Sequence, residues 1–223
     1  MEGVMDEERK YVKTSEILLS LPKLFSSLTV SKVARTPANV FLHNAQGKGY
    51  IKKIANKAYI NYFRSGENPA VEAVTCFVKP MSYISCEWAL HFHSVILQTP
   101  KTCTAMTLSS NTGKRFDIDY LDFRIEFSKT VPKLFNNFTD IVGDDGTVFA
   151  IACPEKALID CVNLRGAVPF ADELQIENLN IDKLRELSLM YSRTVQDKTR
   201  LWIDRYASEP VEATMLYSSA LSR

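Results

Sequence analysis

Asp117-Ile118-Asp119, Glu126 and the adjacent Glu155-Lys156 are the residue types from which nucleases and group-transfer enzymes build a carboxylate–lysine metal site. Their surroundings point elsewhere. In Arg115-Phe116-Asp117-Ile118-Asp119-Tyr120 and Phe123-Arg124-Ile125-Glu126-Phe127 polar and apolar residues alternate, as in half-buried strands, which puts the acids on a solvated face. His91 and His93 stand about 200° apart on a helix and do not converge on one ion as i, i+4 ligands would; one is expected in the core and the other in solvent. Cys76, Cys86, Cys103, Cys153 and Cys161 form no Cys-x-x-Cys pair and fall mostly within apolar runs, as reduced core cysteines do. With no Gly-rich phosphate loop and no Ser-His-Asp order, the expectation is a protein without a catalytic centre, a bound metal or a cofactor.

The stronger chemical signal is ionic. Between Glu16 and Glu67 no acidic residue occurs, while Lys23, Lys32, Arg35, Lys48, Lys52, Lys53, Lys57 and Arg64 give that stretch a charge of +8. The first 16 residues carry −2, and the chain from Glu67 onward, with 16 basic and 21 acidic residues, carries −5, so the formal net charge of +1 hides a strong asymmetry. An acid-free basic block is the electrostatic footprint of a surface that neutralises phosphates, which makes double-stranded DNA the expected partner.

The elements needed to present that charge can be read from the same stretch. Thr14 to Leu21 has a capping residue and apolar positions 17, 18 and 21 before Pro22 interrupts, which predicts a short packing helix. Leu28 to Arg35 suits a second short helix with Thr29 as cap and Val30, Val33 and Ala34 facing inward. Thr36-Pro37 is a restart signal, and a third helix from Ala38 to Gln46 has Val40, Phe41 and Ala45 as its inward face before Gly47 and Gly49 stop it. Tyr50 to Ile54 and Ala58 to Tyr62 then form a β-hairpin around Ala55-Asn56-Lys57. Together these predict a winged helix-turn-helix. Its candidate DNA-binding residues are Lys32 and Arg35 on phosphates, Thr36 at the helix start, Asn39 and His43 toward base edges, and Lys48, Lys52, Lys53 and Lys57 serving the wing.

At 223 residues the chain has room for two small domains, and its 46% hydrophobic and 24% charged content excludes disorder and a disulfide miniprotein. The polar stretch Arg64-Ser65-Gly66-Glu67-Asn68-Pro69 is the candidate linker, dividing a DNA-binding domain of residues 1–66 from a second domain of residues 70–223. There, strands are expected between Thr75 and Ile151, with a helix after Ser85 carrying Trp88, Ala89 and Phe92. Val148 to Asp160 reads as a buried strand turning into a Pro154-started helix, and two amphipathic helices, facing the core, fall between Leu179 and Tyr206. The fold class is therefore α+β: an N-terminal winged helix-turn-helix followed by a mixed α/β C-terminal domain. No apolar run reaches membrane-spanning length and the acidic, polar start is unlike a signal peptide, so a cytoplasmic location away from membranes is expected.

Tyr83-Ile84-Ser85 with Ala89-Leu90 and His93, followed by Ala152 and Pro154-Glu155-Lys156-Ala157-Leu158 with Asp160, resembles the paired motifs of the AbiEi family of bacterial antitoxins and abortive-infection, phage-defence regulators. The likeness in order and spacing covers roughly residues 15 to 205. Asn56-Lys57-Ala58-Tyr59 replaces the family's Gly-containing wing turn, and Cys86 to Trp88 depart from its small and aromatic residues. The resemblance implies the antitoxin of a two-gene toxin-antitoxin operon, a transcriptional repressor whose winged helix binds inverted repeats in its own promoter. It also implies that the larger domain neutralises a nucleotidyltransferase-type toxin. The alternatives are a stand-alone DNA-binding regulator and a nuclease-like enzyme with a DNA-binding arm. Pro154 to Asp160 has a sufficient explanation as scaffold, with Glu155 placed against the helix dipole.

Overall fold

The computed structural model describes residues 14–33, 37–143 and 146–206, and its architecture is mixed α+β. Residues 14–20 are helical (α1), and β1 (Leu24–Ser26), α2 (Ser27–Val33), α3 (Ala38–Gly47), β2 (Ile51–Ala55) and β3 (Ala58–Asn61) follow. The three strands form an antiparallel sheet in the order β1-β3-β2, with Phe25 opposite Tyr59 and their rings stacked at 5.6 Å. Leu18, Leu21, Phe25, Val30, Phe41, Leu42, Ala45, Ile51 and Tyr59 make a core of their own.

Helix ends explain most of the differences from expectation here. β1 is too short to show any alternation, and it moves the start of α2 back to Ser27. Ser26, not Thr29, is then the cap, its Oγ accepting from the Thr29 amide at 3.3 Å. Pro37 occupies the N-cap position of α3, with φ −51° and ψ 128°, rather than its first turn. Leu42 takes the inward place expected of Val40, because Phe41, Leu42 and Ala45 lie on one arc of the helix; Val40 is 50% exposed and Val33 44%. Asn61, wholly buried, donates from Nδ2 to the Leu18 carbonyl at 2.7 Å, a carbonyl at the end of α1 that among the described residues otherwise accepts only the Leu21 amide at 3.3 Å.

The larger unit contains α4 (Val71–Val78), β4 (Ser82–Ser85), α5 (Cys86–Phe92), β5 (Thr102–Thr107), β6 (Ile118–Tyr120), β7 (Phe123–Lys129), β8 (Phe138–Val142), β9 (Val148–Ala152), α6 (Pro154–Arg165), α7 (Ile181–Ser188) and α8 (Arg193–Tyr206). Thr75 is thus helical, not the start of a strand. The β-branched composition favours strand, but Val71, Val74 and Thr75 are buried at the i, i+3, i+4 spacing of one helix face. The sheet is mixed, in the order β6-β7-β5-β4-β9-β8, with β4 parallel to β9, β5 parallel to β7 and the other neighbours antiparallel. Successive residues of β5 fix which helix covers which face: Cys103 meets Thr75 of α4, while Thr104 meets Arg165 of α6. Helices α7 and α8 turn Leu184, Leu187, Val195, Trp202 and Ile203 inward, as their amphipathic pattern requires, and leave Leu201 in solvent.

The two units touch. Ile60 on β3 is buried in the larger core, with Leu24, Ile54 and Ala55 packed against it. The expected linker is held at both ends: Lys23 Nζ donates to the Arg64 and Gly66 carbonyls at 2.9 and 3.1 Å, the Arg64 guanidinium donates to the Leu21 carbonyl at 3.2 Å, and Tyr120 donates to the Pro69 carbonyl at 2.7 Å. No described helix is long and apolar enough to cross a membrane.

Candidate nucleic-acid interface

α3 and the β2–β3 hairpin carry the predicted basic and polar residues on one connected stretch of chain. Asn39 and His43, four residues apart on α3, both lie exposed and line a groove of about 370 Å³ between α2 and α3. Gln46 lies on the same stripe, one turn further on, but its amide donates to the Leu42 carbonyl at 3.2 Å, so part of its hydrogen-bonding capacity is used within the helix. Ser27 and Ser31 of α2 form the opposite wall and Tyr59 the floor. The two serines are small, hydroxyl-bearing groove residues that no motif in the sequence singles out.

Lys32 on α2, Lys48 at the end of α3, Lys52 and Lys53 on β2 and Lys57 in the hairpin turn are all exposed. None of these five forms an ion pair with a described residue. Nor could one form locally, since residues 17–66 hold no carboxylate. Lys57 sits in the left-handed region at φ 63°, within a two-residue Asn56-Lys57 turn between the paired Ala55 and Ala58. Arg35 and Thr36 lie outside the described residues. Of the eight cations in the basic block, Lys23 and Arg64 serve the chain itself by holding linker and helix-end carbonyls, a distinction that composition does not carry.

The acids and lysine that suggested a metal enzyme are dispersed. Asp117 pairs with Arg124 at 2.6 Å and Asp119 is exposed. Glu126 pairs with Arg165 at 2.7 Å, and Arg165 also holds Glu87 through its Nε at 2.7 Å. The Glu87 carboxylate, with Glu126 beside it, raises the pKa of that guanidinium further. Among the described residues, Cys86, Glu87 and Cys161 are a set whose ligand atoms lie close enough to hold a metal ion, within 4.8 Å of one another. Glu87 is already gripped by Arg165. The Cys161 hydrogen bond pulls Cys86 down, but burial and the Asp160 carboxylate leave it above its ordinary value, and burial pushes Cys161 up further. All five cysteines are free thiols.

The motif residues meet in the interior. Asp160, 1% exposed, accepts from Lys156 Nζ at 2.7 Å and Tyr191 at 2.6 Å on one oxygen, and from Ser85 at 2.7 Å and Tyr83 at 3.0 Å on the other. Lys156 is itself wholly buried and also donates to the Tyr191 oxygen. Burial together with Asp160 pushes both tyrosine hydroxyls upward. Ser85 therefore stands at the N-cap of α5 without capping it through its side chain. Glu155 does more than face a dipole: it accepts from the Asn180 amide at 2.9 Å and pairs with Lys183 at 3.1 Å. The two histidines are both half-buried rather than split between core and solvent. His93 donates to the Ala152 carbonyl at 2.8 Å, His91 lies 3.4 Å from that of Ile96, and Phe92 is 43% exposed.

No protein-family model matches the chain, and no curated protein matches it. The crystal structure of the Rv2827c protein from Mycobacterium tuberculosis is similar in fold, with a TM-score of 0.62 at 9% identity over 92% of this chain and 79% of that one.

Proposed function

We propose that the N-terminal unit is a winged helix that binds double-stranded DNA, and that the chain is the antitoxin of a bacterial two-gene operon. It represses its own promoter at inverted repeats and neutralises a nucleotidyltransferase-type toxin through the larger unit. The observation that carries the DNA half is the set of five exposed, unpaired lysines around α3 in a stretch without carboxylates. The order α1-β1-α2-α3-β2-β3, with the last two strands as a hairpin, supports it, since a helix presented beside a basic hairpin suits a groove and its flanking phosphates. A single unit of this size buries modest area on DNA, so two copies on adjacent repeats supply useful specificity. The toxin half rests on the resemblance of the Tyr83-Ile84-Ser85 and Pro154 to Asp160 motifs and on the −5 charge from Glu67 onward, which complements a basic partner.

Two measurements test the reading. Affinity for duplex DNA should fall with a log–log salt slope of about −0.9 per phosphate neutralised, and binding indifferent to salt refutes it. Co-expression should rescue cells from the product of the adjacent open reading frame. DNA binding without rescue leaves a stand-alone regulator, the reading to which the antitoxin proposal would then yield.

A further inference from the structure

α3 turns an arc to solvent on which Asn39, Val40, His43 and Asn44 are all exposed. At about 100° per residue, His43 falls between Asn39 and Val40 on that arc, opposite the buried Phe41, Leu42 and Ala45. Val40 is the one aliphatic side chain among these four, is 50% exposed, and is not claimed by the N-terminal core.

We infer that Val40 reads a thymine: its isopropyl group packs on the C5-methyl in the major groove, beside the base edges that Asn39 and His43 address. The inference rests on the DNA-binding reading above and deepens it by naming the base. The floor of the major groove offers hydrogen-bond donors and acceptors at every base pair, and the thymine methyl is the apolar group among them. An aliphatic side chain set among polar ones gains only from that group. The surrounding charge selects a polyanion over an apolar protein surface: Lys48 follows α3, Lys52 and Lys53 stand on the next strand, and no carboxylate occurs from residue 17 to 66. Asn39 and His43 are separated by about 6 Å along the helix, under two base-pair steps of about 3.4 Å, so the three side chains address neighbouring base pairs.

The test uses the full chain and duplexes selected from a random-sequence pool, each prepared with thymine or with uracil in its place. Wild-type protein should lose about fourfold in affinity for each contacted methyl removed. Val40→Ala should bind the two forms equally, while Asn39→Ala should weaken both and keep the thymine preference. Equal wild-type affinity for the two forms, or a preference that survives in Val40→Ala, overturns the inference. The wild-type comparison stands even if Val40→Ala misfolds. Salt-dependent binding without methyl discrimination sinks this inference alone, whereas no binding to any duplex sinks it together with the DNA-binding reading.

Discussion

Asp160→Ala should be among the most damaging single substitutions in the larger unit, and the size of the effect can be worked from its partners. The carboxylate accepts from one ammonium and three hydroxyls, all buried. Breaking a buried ion pair by removing one member costs about 3–5 kcal/mol, because the remaining charge loses its compensation. Two features temper that here: Lys156 keeps the Tyr191 oxygen as an acceptor, and its Nζ lies over the Tyr83 and Tyr191 rings at 5.3 and 5.0 Å. The loss should therefore fall near the lower end, about 3–4 kcal/mol, which for a chain of this length lowers Tm by about 10 °C. Thermal unfolding at pH 7, followed by circular dichroism, gives the number. Adding Lys156→Met to Asp160→Ala should recover part of the loss, since the uncompensated ammonium goes with it. A Tm within about 3 °C of wild type for Asp160→Ala, or simple additivity in the double variant, refutes the claim that a charged pair organises this interior.

On the DNA side, Lys52→Ala should weaken operator and random duplexes alike and reduce the salt slope by about 0.9, while Asn39→Ala should cost roughly 1–3 kcal/mol on the operator and little on random DNA. Equal losses on both DNAs would make Asn39 a phosphate contact. For Glu155, burial pushes the carboxyl up, but the Asn180 amide and the Lys183 ammonium outweigh it and hold the group below its usual 4.5. A depressed folded value means that the ionised group's stabilisation is complete above 4.5 and is lost as pH falls through the folded value. Urea melts of Glu155→Gln should accordingly show a shallower acid limb than wild type, and parallel limbs would contradict the linkage. Residues 70–223 expressed alone should stay folded and still rescue. That fragment should nonetheless be less stable by about 2 kcal/mol or more, because removal of the wholly buried Ile60 uncovers the apolar surface it contacts; urea midpoints and the rescue assay check the two halves of that statement.

Which parts were legible in the sequence follows from how local their causes are. The third helix came within one residue of its end, and the hairpin at Asn56-Lys57, the strand before Pro154 and the two closing helices fall where expected, because glycine, proline and short-range periodicity set them. β1 escaped because three residues carry no period, and α4 because its valines favour strand while their spacing favours helix. The interior network escaped for a different reason. Ser85 and Asp160 are 75 residues apart, and only the packing of β4 against α6 brings them to 2.7 Å.

That burial also bears on what the two motifs can mean. Tyr83, Ser85, Lys156 and Asp160, four of the polar members of the two motifs, do not reach solvent, whereas His93 is half-buried. A partner cannot touch these four side chains in the folded unit, so the proposed toxin surface would be composed of other residues. The N-terminal unit is the reverse case. Lys52, Lys53 and Lys57 do no structural work that the contacts disclose, while Lys23 and Arg64, in the same charge block, are committed to backbone carbonyls. A cation bound to the fold has little freedom left to neutralise a phosphate, so the charge that the proposed DNA interface could offer is smaller than the composition suggests. Lys23→Ala should therefore act on stability, through the linker, and Lys52→Ala on the salt slope; an equal change in slope for both would mean that charge count, and not its placement, governs binding.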